Sequence, residues 1–399
     1  MTETFEAERL ILDRMPRTGT HREPLERCAG RILAEEVFAD RDQPPFDRVT
    51  MDGIAISYAD WAAGTRRYDV VGTQAAGAPP AEPVGSGCCA EVMTGAMLPP
   101  GTDTVIPVER ITRHGGAAEV AADAPVAQGQ FVHRRGGDRR RGAALLGPGL
   151  RIGPPEAAVL ASAGVADVPV AALPRVAVVS TGDELVDVRD TPEPFQIRSC
   201  NDRAIETALL RHRLGSVTRE RLADDADAML TAVERLHATH DVLILSGGVS
   251  MGQFDFVPAV LERLGAEVVF HRIEQKPGRP MWFGMSGDGK PLFALPGNPV
   301  STLVCATRYV LPALRLSLGL TPAPLEYAVL TETVEIPGSM TLFMPVLLRS
   351  SGAGVLEATP RPTNTSGDFV SLAGTDGFVE LPRGTGPFGP GTPVRLFRW

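Results

Sequence analysis

The sequence predicts a multidomain α/β and β protein: a central doubly wound α/β layer, a small β insertion before it and a β barrel after it. Three observations carry this. Apolar runs at 175–180, 242–245 and 292–295 have strand length, and each empties into a polar turn bearing Gly or Pro. Helical stretches at 201–214, 224–237, 256–264 and 299–318 alternate with them, as in βα units of buried parallel strands. On both sides the pattern changes to short β-prone segments broken by Gly and Pro. At 399 residues the chain is also too long for one ordinary core.

The elements follow in order. Residues 3–15 read as an amphipathic helix, with Phe5, Leu10, Ile11 and Met15 apolar and Pro16 as the stop. Residues 24–38 read as a second, with the stripe Leu25, Cys28, Ile32, Leu33. The stretch 40–53, DRDQPPFDRVTMDG, is too rich in acid, Pro and Gly to be core and reads as a loop. Five β-prone segments between 64 and 135 predict the β insertion, 142–155 a connector and 156–164 a short helix. Asn201-Asp202 is suited to cap the first helix of the α/β layer. From 325 onward, segments at 327–334, 341–349, 377–381 and 393–398 predict a small β barrel or sandwich.

Composition narrows the function. Charged residues are 22%, hydrophobic residues 43% and the net charge is -9, which suits a soluble globular chain and not a nucleic-acid binder. The run HRRGGDRRR (133–141) is a local exception, a solvated surface or a phosphate-facing patch. Cysteines 28, 88, 89, 200 and 305 are odd in number and show no CxxC spacing, so neither a zinc site nor a disulfide framework is expected. Cys200 reads equally as a reactive or a plain buried thiol. With no basic-then-apolar leader and no run of 18 apolar residues, a cytoplasmic protein away from membranes is expected.

The chemistry concentrates at the strand ends. Ser180, Thr181 and Gly182, and Ser246, Gly247 and Gly248, offer N–H donors to a phosphate or oxyanion where no Cβ intervenes. Asp183, Glu184 and Asp255 stand beside them, and carboxylates where phosphates bind point to Mg²⁺. The plainer reading of each is a solvated loop acid or a helix cap. Lys276 and Arg279 flank a Pro-Gly turn in QKPGRP, as an oxyanion-binding pair or as an ordinary surface hairpin. Asp52 ends a stretch of rigid Pro and Gly from which an acid can reach another domain or subunit.

These segments together resemble the MoeA family of molybdopterin molybdenumtransferases, relatives of the gephyrin E domain. The resemblance rests on PPFDRVTMDGIA (44–55), VMTGAMLPPGTDTVIPVE (92–109), RRGGD (134–138), STGDELV (180–186), LSGGVSMGQFD (245–255), KPGRP (276–280), LPGNPVS (295–301) and SGDFVSLAGTDGF (366–378). It implies four domains: an extended dimerisation domain of 1–20, 42–52 and 139–173; a β-rich domain of 21–41 and 53–138; a molybdopterin-binding α/β domain of 174–320, like the MoaB and MogA adenylyltransferases; and a C-terminal β barrel of 321–399. It implies molybdate insertion into adenylylated molybdopterin, Mg²⁺-dependent, with release of AMP. It implies a homodimer, its site between the central domain of one subunit and the N-terminal loops of the other. Handover from the adenylyltransferase and to molybdoenzymes or their chaperones is implied as well.

Position by position, Asp52 matches the acid of the MDG loop, Thr94 the threonine of MTG and Asp138 the acid after the arginine turn. Glu184 matches the acid of TGDEL, Asp255 the acid closing the GGVS loop and Lys276 the first lysine of KPGKP. Pro296, Asn298 and Pro299 match PGNP, Asn201 the asparagine of DSN, and Ser371 a serine of the C-terminal domain. Asp52, Glu184 and Asp255 are the expected metal- and water-positioning acids, with Asp138 as a further catalytic candidate. Lys276 and Arg279 are the expected oxyanion contacts. The sequence departs from the pattern at Ile54 (usually Tyr), at Ser199-Cys200-Asn201 (usually DSN), at Gln253-Phe254 (usually Asp-Tyr) and at Arg279 (usually Lys). The alternatives are a non-catalytic molybdopterin-binding scaffold, a variant using tungstate, or one serving a particular molybdoenzyme.

Overall fold

The structure, a computed structural model, describes residues 1–250, 255–322, 324–336, 338–384 and 386–399. Two compact units result. One comprises Met1–Glu35, Pro148–Gly153 and Asp167–Trp399, and the other Glu36–Gly147 and Pro154–Ala166. This is coarser than the four domains implied above. Within the first unit, the central sheet and the barrel have separate apolar clusters.

The central sheet has six strands in the order Ser216–Leu222, Arg175–Thr181, Val242–Ser246, Pro291–Leu295, Trp282–Met285 and Glu267–His271. The first four are parallel. Side chains alternate between its faces. Val176, Val178, Ile244 and Phe293 enter one core, and Ala177, Val179, Leu243 and Ala294 the other. Burial on both faces explains the unbroken apolar runs. Trp282–Met285 runs antiparallel to both of its neighbours, so the sheet is mixed where the strand pattern suggested parallel strands. Only Ser286–Lys290 joins Trp282–Met285 to Pro291–Leu295, and so short a link permits a hairpin but no parallel crossover.

Two helical expectations need revision. The stretch 24–38 is not a helix: strand Thr20–Pro24 is followed by the short turn Leu25–Arg27 and the strand Val37–Phe38. Pro24 and Gly30 interrupt any helix there, and pairing of Thr20–Pro24 with Asp167–Ala171 outweighs a weak amphipathic stripe. The stretch 299–318 is helix Pro299–Cys305, a wide π turn Ala306–Val310 and helix Leu311–Ser317. Pro312 supplies no N–H to a regular ladder at that junction.

The barrel closes where Thr341–Ser350 pairs with both Leu356–Pro360 and Gly377–Leu381. Gln275–Lys276 adds to its edge through Thr341 and Leu342. In the second unit a six-stranded sheet packs Ile54, Ile56, Tyr68, Cys89 and Ile106 into its core. Ile54, one of the departures, is therefore a buried core residue.

Candidate active site

Strands Arg175–Thr181 and Val242–Ser246 end level with each other, Ser180 opposite Ser246. Their turns open on a cleft of about 900 Å³. Ser180, Thr181, Gly182, Glu184, Asn201, Ser246, Gly247, Gly248, Asp255, Pro296, Asn298 and Pro299 all line it, so the structure brings together twelve residues expected from sequence.

One wall is a set of polar donors. The Ser246 hydroxyl donates to the Pro296 carbonyl at 3.3 Å and accepts from the Asn201 amide at 2.9 Å. Asn201 also donates to the Gly297 carbonyl at 2.7 Å, tying the first helix of the layer to both strand ends. Ser180 and Thr181 are buried, yet neither hydroxyl has a hydrogen-bond partner among the described residues. Leaving a buried hydroxyl unsatisfied costs on the order of 1–3 kcal/mol, so both are poised for a ligand acceptor.

Acidic residues line the same cleft. Asp224, just beyond strand Ser216–Leu222, donates its N–H to the Asp183 carboxylate at 3.0 Å and lines the cleft beside Glu184 and Asp255. Burial raises its pKa, and the carboxylates of Asp183, Glu184 and Asp255 raise it further. Among the described residues, no three His, Cys, Asp or Glu side chains group closely enough to hold a metal by themselves. Magnesium keeps several waters and takes ligands from substrate phosphates, so a partial acidic lining beside phosphate donors fits that ion. Gln253 and Phe254 lie outside the described residues.

A second cavity, about 490 Å³, shares Pro280, Pro296 and Asn298 with the first. Lys276 and Arg279 line it, both exposed and without an ion pair among the described residues. Their turn is locked from behind. Buried Gln275 donates to the Pro277 carbonyl at 3.0 Å and accepts from the Tyr309 hydroxyl at 2.5 Å. A Cβ at Gly278 would stand 2.5 Å from the Cys305 sulfur, so only glycine fits.

The remaining candidates are elsewhere. Ser371 is exposed outside both linings and donates to Asp368 at 2.6 Å, while neighbouring Gly367 and Phe369 line the larger cleft. Asp52, Thr94 and Asp138 belong to the second unit. Asp52 accepts from the Thr94 N–H at 2.6 Å and hydroxyl at 2.8 Å, which hold its carboxyl below the ordinary aspartate range. Asp138 lies 3.1 Å from His133. The basic run is not a converged anion cluster: Arg134 pairs with Asp47 and Arg135 with Asp42, each at 2.7 Å. Cys200 lines the larger cleft, and burial raises its thiol pKa, which disfavours the reactive thiolate.

Three family models match in order: the MoeA N-terminal region (domains I and II) over residues 2–164, the probable molybdopterin binding domain over 177–316, and the MoeA C-terminal region (domain IV) over 327–398. A molybdopterin molybdenumtransferase of Synechocystis is 37% identical over 371 residues, 93% of each chain. The chain belongs to the MoeA family. Two MoeA proteins of Pyrococcus horikoshii, described as molybdopterin biosynthesis proteins, have similar crystal structures. Their TM-scores are 0.86 and 0.84 at 32% and 27% identity, covering the whole of this chain and 99% and 100% of theirs.

One MoeA-chain residue in the cleft escaped the sequence reading. Asp224 sits in an ordinary-looking DD pair with no glycine-bordered strand end to flag it. The available signal was its place just after a strand of the same parallel set. That strand, Ser216–Leu222, is mostly polar at the sheet edge and so lacks the apolar run that revealed its neighbours.

Proposed function

We propose that this chain is a molybdopterin molybdenumtransferase that inserts molybdate into adenylylated molybdopterin and releases AMP in the last step of molybdenum cofactor synthesis. The observation that carries the reading is the pair of buried hydroxyls at Ser180 and Thr181, without a hydrogen-bond partner among the described residues, in the lining of a cleft that Glu184, Asp224 and Asp255 also line.

In this reading Ser180 and Thr181 donate their hydroxyls to the substrate phosphates, while Asn201, whose amide is already engaged, holds the turn Ser246-Gly247-Gly248 in place beside them. Glu184, Asp224 and Asp255 would hold Mg²⁺, which supplies charge neutralisation for phosphoanhydride cleavage when bound. The same carboxylates orient the water that attacks phosphorus. Lys276 and Arg279 hold the oxyanion without competing for the metal, one through a compact ammonium and the other through a planar fork. Asp52, Thr94, Asp138 and Ser371 are assigned to the reaction by their match to the family motifs, and their roles rest on substitution tests.

AMP release from adenylylated molybdopterin, measured with Mg²⁺ and with molybdate, tungstate or neither, tests the reading. Release stimulated by molybdate is expected. Pterin binding without AMP release under any condition would favour a scaffold, and preferential stimulation by tungstate would reassign the oxyanion.

A further inference from the structure

A cavity of about 450 Å³ opens between the N-terminal helix, the segment 307–316 and the barrel strand Pro393–Arg398. It shares no lining residue with the two clefts above. Its walls are largely apolar, with Leu12, Leu311, Leu316 and Phe397 among them. Its charges do not balance. Two glutamates and three arginines line it. Arg395 pairs with Glu8 at 3.2 Å and Arg398 with Glu326 at 2.6 Å. Arg315 has no carboxylate partner among the described residues; its side chain lies 3.4 Å from His212 Nδ1. Burial lowers its pKa, with the nearby Arg151 charge adding to the effect. A guanidinium half-withdrawn from water and left without an anion is an unfavourable arrangement.

A second, independent feature lies in the same cavity. Thr307 is 5% exposed and its hydroxyl has no hydrogen-bond partner among the described residues. A helical threonine ordinarily turns its hydroxyl back onto a carbonyl three or four residues earlier. Thr307 stands instead in the π turn Ala306–Val310, and such wide turns are frequent at functional sites.

We propose that this cavity binds a small organic carboxylate with an apolar body, Arg315 supplying the counter-charge and Thr307 a hydroxyl donor. One unmatched monocation calls for a monoanion, and the volume falls within the roughly 300–1,000 Å³ of small-molecule sites.

Isothermal titration of the full chain with decanoate, using decanol and acetate as controls, tests this. Decanoate is expected to saturate a single site, with both controls at least about tenfold weaker because each lacks one half of the match. Arg315→Gln should weaken decanoate about tenfold and Thr307→Val about threefold, with thermal melts and AMP release close to wild type. Lys276→Ala should leave decanoate binding unchanged. The proposal fails if decanoate does not saturate, if decanol binds equally well, or if Lys276→Ala rather than Arg315→Gln abolishes binding. Should Arg315→Gln not fold, Thr307→Val with wild-type affinity would be equally fatal.

Discussion

A β-carbon at Gly247 would stand 2.5 Å from the carbonyl oxygen of Thr181, and the φ of +104° lies where side chains are strained. Gly247→Ala is therefore expected to destabilise the fold by about 1–3 kcal/mol and to abolish AMP release, measured by denaturant unfolding and turnover together. Asp224 makes a different prediction. Its pKa is raised in the fold, so the stability it contributes is full below the ordinary aspartate range and is lost as pH rises through the folded value. Once ionised, it is an acid among acids. Asp224→Asn should raise the melting temperature by about 1–3 °C at pH 7 with no gain near pH 3, while cutting AMP release at least about tenfold. Added Mg²⁺ should stabilise the wild type more than the variant. An Asp224→Asn protein that turns over normally would remove this carboxylate from the metal's surroundings. Lys276→Ala, by contrast, should raise the molybdate concentration needed for AMP release about tenfold with little change in pterin affinity. Weakened pterin affinity at unchanged oxyanion dependence would place Lys276 on a substrate phosphate.

Among the elements, the π turn Ala306–Val310 carries a fully buried arginine, Arg308, which lies 2.8 Å from Glu8 of the N-terminal helix and 3.8 Å from Glu380 of the barrel. Burial raises the Glu8 pKa, but the hydrogen bonds and charges of Arg308 and Arg395 outweigh it and hold the carboxyl below the ordinary glutamate range. The stability due to Glu8 is thus present above that range and lost as pH falls through the folded value. Arg308→Leu should cost about 3 kcal/mol, because it takes the buried one of two guanidiniums from Glu8 and Glu380 and leaves both carboxylates to Arg395, and chemical denaturation at pH 7 measures this. Little of this arrangement was legible in the sequence. The apolar runs at 175–180, 242–245 and 292–295 announce themselves because both faces of the sheet are covered, whereas Ser216–Leu222 is a mostly polar strand at one edge and Glu267–His271, at the other edge, is only partly buried. The stretch 24–38 misled because its apolar spacing suits a helix until Thr20–Pro24 pairs with a strand about 145 residues away.

For the whole molecule, the glycine-rich strand ends were readable because an anion site needs bare N–H groups at a sheet's carboxyl edge. Asp224 was not, since only the fold brings it near Asp183, Glu184 and Asp255, which lie in two other loops. A homodimer is proposed, as the resemblance to the MoeA family implies. Sedimentation at micromolar concentration should give about twice the 42.4 kDa of the chain, and a monomer would overturn this. Among the described residues no helix is long and apolar enough to cross a membrane.

The hydrogen bonds that shape the larger cleft run from Ser246 to Asn201 and to Pro296, 45 and 50 residues away along the chain. No local segment can preform such a cradle, and its closure must await pairing of distant strands, which is slow. A partly folded chain therefore lacks the proposed phosphate site. Substrate then binds the native state alone, and its free energy of binding is added wholly to folding stability, by RT ln(1 + [L]/Kd). A cell short of adenylylated pterin would hold this protein with a larger unfolded fraction, so supply of the substrate would set the protein's lifetime as well as its turnover.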